Sequence, residues 1–149
     1  MASEFRMLHR VEFADTDMAG ILHFASFFRL MESTEHAFFR SLGLSVVMRD
    51  EEGRQLGWPR VHVECDFKAP LRFEDEVEVH LKVREKRTRT LVYDFDFWRV
   101  EGALRAEVAR GSFVVACVHF DAASGRMRAV PIPGFVAERI NSAEQSGEE

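Results

Sequence analysis

Residues Phe13-Ala14-Asp15-Thr16-Asp17-Met18-Ala19-Gly20 set two carboxylates and a glycine directly before a long, aromatic-rich run with helical spacing. The first N–H groups of a helix lack internal acceptors and carry the positive end of its dipole, so a polar substrate atom held there is polarised. A carboxylate beside such a trap can act on an activated carbonyl. The same residue type also serves as a helix cap, because an Asp oxygen can accept from those amides. Asp15 and Asp17 therefore admit two readings, a cap and a catalytic group.

His23 stands at the helix entrance, where an imidazole either orients a reactant or plays a structural part. Glu32 follows it by nine residues, about half a turn around the helix, so the two do not share a face within one chain. It is read either as shaping and hydrating a site or as half of a salt bridge. Glu35 falls within the aromatic face, where burial of a charge requires a partner such as Arg60 or His62. His36 follows Glu32 by four, but a two-histidine zinc helix needs histidine where Glu32 or Ser33 stands, so no metal is expected. No GxGxxG, Walker loop or GxSxG occurs, which removes nucleotide cofactors and a serine triad from consideration.

The elements that must position these residues follow from periodicity. Phe5 to Phe13 alternates as a first strand. A helix is expected from about Ile21 to Leu42, ended by Gly43 as a left-handed cap. It gathers Phe24, Phe27, Phe28, Met31, Phe38, Phe39 and Leu42 on an apolar face, with Ser26, Arg29, Ser33, His36 and Arg40 opposite. Arg49 to Gly57 is expected as a loop. Trp58-Pro59 opens a strand that runs to Phe67 and stops at Pro70, because proline cannot donate to a ladder. Further strands cover Glu76 to Val83, Leu91 to Val100 and one long run from Leu104 to Phe120, the last two joined by a turn at Glu101-Gly102. A short helix is expected within Ile132 to Ile140, and Asn141 to Glu149 as a flexible acidic tail. One strand, a long helix, then four strands with short turns predict an α+β fold, an antiparallel sheet of about five strands around one central helix. The domain spans residues 1–140. Unpaired sheet edges predict at least a homodimer.

Composition agrees. With 149 residues, 46% of them hydrophobic, the chain supports one core and leaves no room for a second domain. The net charge of −5 argues against a duplex-binding surface, so no nucleic-acid partner is expected. Cys65 and Cys117 form no CxxC pair and sit in strand patterns as buried, inert thiols. The N-terminus lacks the apolar core of a secretory signal, and no apolar run reaches the roughly 18 residues of a membrane span, which together predict a cytoplasmic protein.

Three stretches carry a family resemblance: Asp15-Thr16-Asp17-Met18-Ala19-Gly20, the helix that follows with Glu32 partway along, and Phe67-Lys68-Ala69-Pro70-Leu71-Arg72-Phe73-Glu74-Asp75. From about Val11 to Val136 the chain resembles the hot-dog fold thioesterases of the 4-hydroxybenzoyl-CoA thioesterase type, which include the Tol-Pal-associated acyl-CoA thioesterases. The resemblance implies that Asp17 attacks a thioester carbonyl directly or through a water, while the Phe24 amide polarises that carbonyl. His23-Phe24 differs from the Tyr-His pair of the Tol-Pal-associated branch and from the two aromatics of the 4-hydroxybenzoyl branch. It also implies a cofactor-free enzyme, a homodimer or homotetramer, and basic residues near a subunit boundary that grip coenzyme A. Arg84, Lys86, Arg87 and Arg89, clustered around one turn, are the candidates here, against the plain reading of a solvated hairpin tip. Acyl-CoA is the expected substrate; an acyl-carrier-protein donor and a non-catalytic acyl-CoA or aromatic-ligand binder are the alternatives.

Overall fold

The computed structural model of the chain describes residues 2–143. In chain order its elements are β1 (Glu4–Arg10), a 3-10 turn (Phe13–Asp15), α1 (Phe24–Ser41), β2 (Met48–Arg49), β3 (Gln55–Gly57), β4 (Arg60–Phe67), β5 (Glu76–Lys86), β6 (Thr90–Glu101), β7 (Leu104–Ala116), β8 (Val118–Asp121), β9 (Arg126–Ala129) and α2 (Gly134–Ala137). The main sheet is antiparallel with strand order β1-β5-β6-β7-β4. Its long strands alternate as period two demands: Val77, Val79, Leu81 and Val83 of β5 and Leu91, Tyr93, Phe95 and Phe97 of β6 are all buried. The α+β hot-dog expectation holds, with α1 as the one long helix.

α1 lays Phe27, Leu30, Met31, Phe38 and Phe39 into this core. Gly111 of β7 allows the close approach, since a methyl group there would overlap Met31 Cε and press on the Glu64 carbonyl. The helix ends at Gly43, whose φ of +76° lets Leu44 N–H reach back to the Phe39 carbonyl at 2.9 Å. Glu35, fully buried, pairs with Arg60 Nη2 at 2.7 Å, one of the two partners anticipated for it. The Arg60 guanidinium also lies over the Phe113 ring, 4.8 Å from its centroid.

Several expectations are corrected. β1 ends at Arg10, because the chain turns out of the sheet at Val11, which exchanges bonds with Asp75 and Glu74; Phe13 is left 80% exposed. α1 starts at Phe24 because Asp17 N–H bonds the Ile21 carbonyl, closing residues 16–22 into a small hairpin. Phe24 is 61% exposed and Ser26 is buried, so both leave the faces assigned by the helical projection. β4 begins at Arg60, after Trp58-Pro59. The run from Leu104 to Phe120 breaks at Cys117, and its second part joins a separate sheet of order β2-β3-β8-β9. Arg49 to Gly57 contributes two strands of that sheet. Asn141 is tied by its N–H to the Ala2 carbonyl at 2.9 Å and Ser142 is buried, so the anchored chain extends past residue 140. The remainder of the expected tail, residues 144–149, lies outside the described residues. Cys117 is buried and Cys65 partly so; both are free thiols, and burial pushes each up to about 11. No helix among the described residues is long and apolar enough to cross a membrane.

Candidate active site

Asp17 opens the small hairpin that precedes α1. Its Oδ1 accepts from Ala19 N–H at 2.9 Å, which fixes the turn, and Gly20 completes it with a φ of +78° and an N–H bond to the Asp17 carbonyl at 3.0 Å. Oδ2 keeps its acceptor capacity. Asp17 lines a cavity of about 460 Å³ with Ile21, Leu22, Phe24, Phe27, Phe67, Lys68, Ala69 and Pro70. The lining is largely apolar, and Phe27 meets Phe67 edge-on at 5.0 Å.

The cap of α1 comes from neither aspartate. His23 is the N-cap, and its Nδ1 accepts from Ala25 N–H at 3.2 Å, which places the proton of the neutral ring on Nε2. Ser26 N–H bonds the His23 carbonyl at 2.8 Å. Phe24 N–H, the first amide of the helix, meets no acceptor among the described residues. It lies at the positive end of the helix dipole, and Phe24 lines the cavity together with Asp17. The His23 ring packs on Phe24 with centroids 4.6 Å apart.

Asp15 is committed inside the protein. Oδ2 accepts from Glu12 N–H at 2.8 Å and is bonded to His9 Nε2 at 2.9 Å. Burial alone would raise its carboxyl, but these bonds outweigh that and hold it below the usual aspartate value. Its carbonyl accepts from His23 N–H and from Ser26 Oγ–H, each at 2.9 Å.

Glu32 lies elsewhere. It lines an open cleft with His36, Val46, Trp58 and Arg60, at 4.0 Å from His36 and 3.8 Å from Arg60, and it does not share the Asp17 cavity within one chain. Below that cleft Tyr93 and Glu35 are buried close enough to shift one another's proton affinity, though outside hydrogen-bond geometry. Burial pushes the Glu35 carboxyl up while Arg60 opposes it.

The basic turn does not act as one cluster. Arg84 is held by Asp94 across the sheet, and Arg87 by Glu85 at 2.7 Å. Lys86 donates to the carbonyls of Ala137 and Ile140, both at 2.8 Å, and fastens α2 and the segment after it. Of the four, Arg89 lines a cavity of about 550 Å³ together with Arg54, His119, Arg128, Pro131 to Gly134 and the acidic run Asp50, Glu51 and Glu52. Arg54 is occupied by Asp50 at 2.7 Å; no carboxylate among the described residues engages Arg89 or Arg128. Arg128 escaped sequence reasoning because β9 carries no alternating apolar signal. His9 escaped it because no spacing rule links a strand residue to a loop six residues on, and Ser26, expected on the polar face of the helix, is instead buried on the Asp15 carbonyl. Among the described residues, no three His, Cys, Asp or Glu side chains are grouped to hold a metal ion.

One largely apolar cavity is thus lined by a residue with an available carboxylate oxygen and by the residue that carries the first, unpaired helix amide, a combination suited to attack on a polarised carbonyl. The chain is similar to several known proteins. A putative esterase of Aquifex aeolicus is 31% identical over 86 residues, 58% of this chain and 66% of that protein. A 1,4-dihydroxy-2-naphthoyl-CoA hydrolase of Parasynechococcus marenigrum is 31% identical over 83 residues, 52% of this chain and 55% of the relative. The chain thus spans between about half and two thirds of the length of these relatives. The solved structure of 4-hydroxybenzoyl-CoA thioesterase from Pseudomonas sp. strain CBS-3 superposes with a TM-score of 0.79 at 25% identity, covering 93% of this chain and 99% of that one. The family model of the thioesterase-like superfamily matches residues 11–140. With nearly all of its described fold inside that match, the chain belongs to the thioesterase-like superfamily.

Proposed function

We propose that the chain hydrolyses acyl-CoA thioesters. The observation that carries this is that Asp17 and Phe24, whose N–H is unpaired among the described residues, line one largely apolar cavity. The acyl group lies against Ile21, Leu22, Phe27 and Phe67 with its carbonyl oxygen toward Phe24 N–H. Either Asp17 Oδ2 adds to the carbonyl carbon, expelling the thiolate and leaving a mixed anhydride that water then hydrolyses, or it takes the proton of a water that adds to the carbonyl carbon and passes it to the departing thiolate. The negative charge that develops on the carbonyl oxygen meets a donor already in place, which is where such a donor is most effective. The departing thiolate, of a thiol with an ordinary pKa near 8.5, needs no strong general acid. The Phe24 ring borders the reacting carbonyl and His23 packs behind it, while Glu32, in a separate cleft with His36 and Arg60, enters no step within one chain.

Arg89 with Arg128 is the pair best suited to the phosphates of the CoA arm, since both line one large cavity and no carboxylate among the described residues pairs with either, even though Asp50, Glu51 and Glu52 line it too. Arg84, Lys86 and Arg87 contribute by shaping the turn that presents Arg89. The working unit is a homodimer formed along β4. That strand is a sheet edge whose Val61, Val63 and Phe67 are 60%, 40% and 49% exposed, and Phe67 already lines the Asp17 cavity. Two free thiols accord with a cytoplasmic location.

Thiol release from aliphatic and aromatic acyl-CoAs by wild type and Asp17→Asn tests the assignment. A loss of at least about 100-fold in kcat is expected, comparable to loss of a main catalytic group. Equal rates in the two proteins would remove Asp17 from the chemistry. Binding without thiol release would indicate a non-catalytic acyl-CoA binder, and turnover confined to acyl-carrier-protein thioesters would change the donor.

A further inference from the structure

The Asp17 hairpin is an exposed segment that must hold its carboxylate to within a fraction of an ångström of a reacting carbonyl, because a misplacement of about 1 Å can cost roughly 100-fold in rate. Its internal bonds are few: Asp17 N–H to the Ile21 carbonyl at 3.1 Å, Gly20 N–H to the Asp17 carbonyl at 3.0 Å and the Asx bond to Ala19. One more bond, Leu22 N–H to the Leu71 carbonyl at 2.7 Å, fixes its far end. Its near end is fixed through Asp15. The backbone of His9 is locked in register opposite Val77 of β5, and its Nε2 reaches Asp15 Oδ2 at 2.9 Å. The Asp15 carbonyl receives the N–H of the helix cap His23 and the hydroxyl of Ser26, which is 1% exposed and itself accepts from Arg29 Nη2 at 2.7 Å.

One residue therefore joins three bodies: the sheet through its side chain, the first turn of α1 through its carbonyl, and Asp17 through two peptide units. Capping does not account for the contact with His9. α1 is capped by His23, and the 3-10 turn uses the Glu12 amide, a bond that stands without the imidazole. We propose that His9 and Asp15 form a positioning pair for the hydrolysis, an imidazole–carboxylate clasp that holds the Asp17 carboxylate in place against the Phe24 amide. Neither residue touches substrate. The clasp acts by restricting where Asp17 can be when the carbonyl arrives. It rests on the thioesterase reading for its catalytic meaning, and on bond geometry alone for its hold on the hairpin.

Its test uses the full chain with His9→Phe, which keeps a ring and removes the bond, and His9→Gln, whose amide can still donate to Asp15. Two measurements are made on each folded variant: kcat and KM on the acyl-CoA that wild type turns over best, and amide exchange across residues 14–23. His9→Phe should lower kcat about 10- to 100-fold with KM within about twofold. It should also speed exchange across that hairpin about tenfold or more, and His9→Gln should restore both toward wild type. Wild-type kcat and exchange in His9→Phe would overturn the proposal, as would equal kcat losses in both variants with exchange unchanged. Should wild type release no thiol from any acyl-CoA, the thioesterase reading falls. The exchange measurement then still decides: protection lost in His9→Phe and restored in His9→Gln upholds the clasp, and unchanged protection overturns it.

Discussion

Replacing Arg60 with methionine isolates the energetics of the carboxylate beneath α1. Glu35 has no exposed surface, its Oε1 has a single partner in Arg60 at 2.7 Å, and its Oε2 has none. Without the guanidinium the carboxylate would be buried wholly unpaired, a situation that typically costs about 3–5 kcal/mol. Protonation caps that cost. Relative to a free glutamate near 4.3, neutralising the group takes about 1.4 kcal/mol for each pH unit above that value, hence about 5 kcal/mol at pH 8 and about 1 kcal/mol at pH 5. The sign follows from the direction of the shift. Burial raises this carboxyl in the folded state above its unfolded value, so the folded state binds the proton more tightly, and stability present at low pH is lost as pH rises toward the raised value. Urea denaturation of Arg60→Met at fixed protomer concentration should therefore show a destabilisation several-fold larger at pH 8 than at pH 5. Adding Glu35→Gln should flatten that dependence. A deficit equal at both pH values, or one that survives unchanged in the double variant, would refute the reasoning.

Arg89→Ala should raise KM for acyl-CoA about tenfold or more with little change in kcat, the pattern of lost ground-state binding, in steady-state assays. Gly111→Ala should destabilise the chain by about 1–3 kcal/mol in denaturant titration, because the new methyl meets Met31 Cε and the Glu64 carbonyl; trimming Met31 to alanine in the same chain should return part of any overlap cost. Cys65 and Cys117, each pushed up to about 11, should react with Ellman's reagent at pH 8 far more slowly in the native protein than in denaturant, since about one thiol in a thousand is ionised there.

Strong periodicity carried the fold. β5 and β6 alternate cleanly because one face is buried along their whole length, and α1 is long enough for its apolar stripe to be unambiguous. The second sheet was illegible for the converse reason. β2 and β3 hold two and three residues and β9 is exposed throughout, so no alternation marks them, and only the hydrogen bonding of β3 and β9 to β8, and of β2 to β3, defines the layer. At the site, Asp17 stood out by residue type and by its place before the helix, whereas the Phe24 amide followed only from the family resemblance, because periodicity alone starts the helix near Ile21. That His23 would supply the cap was not visible, since Asp15 and Asp17 are the better capping types and only the path of the hairpin sends their oxygens elsewhere. The four basic residues of the turn looked equivalent in sequence. They separate only when Asp94, Glu85 and two carbonyls near the C-terminus are folded against three of them.

The switch of the chain from one sheet to another at Cys117 divides labour along the polypeptide. The lining of the Asp17 cavity is drawn from residues 17–27 and 67–70, whereas Arg128 rides on the second sheet and Arg89 on the turn beside it. On the proposed thioesterase reading, exchange of a few side chains in the first region would change which acid is released, while the grip on a handle common to every substrate would stay untouched in the second. Chemical diversification would then be uncoupled from recognition of the carrier.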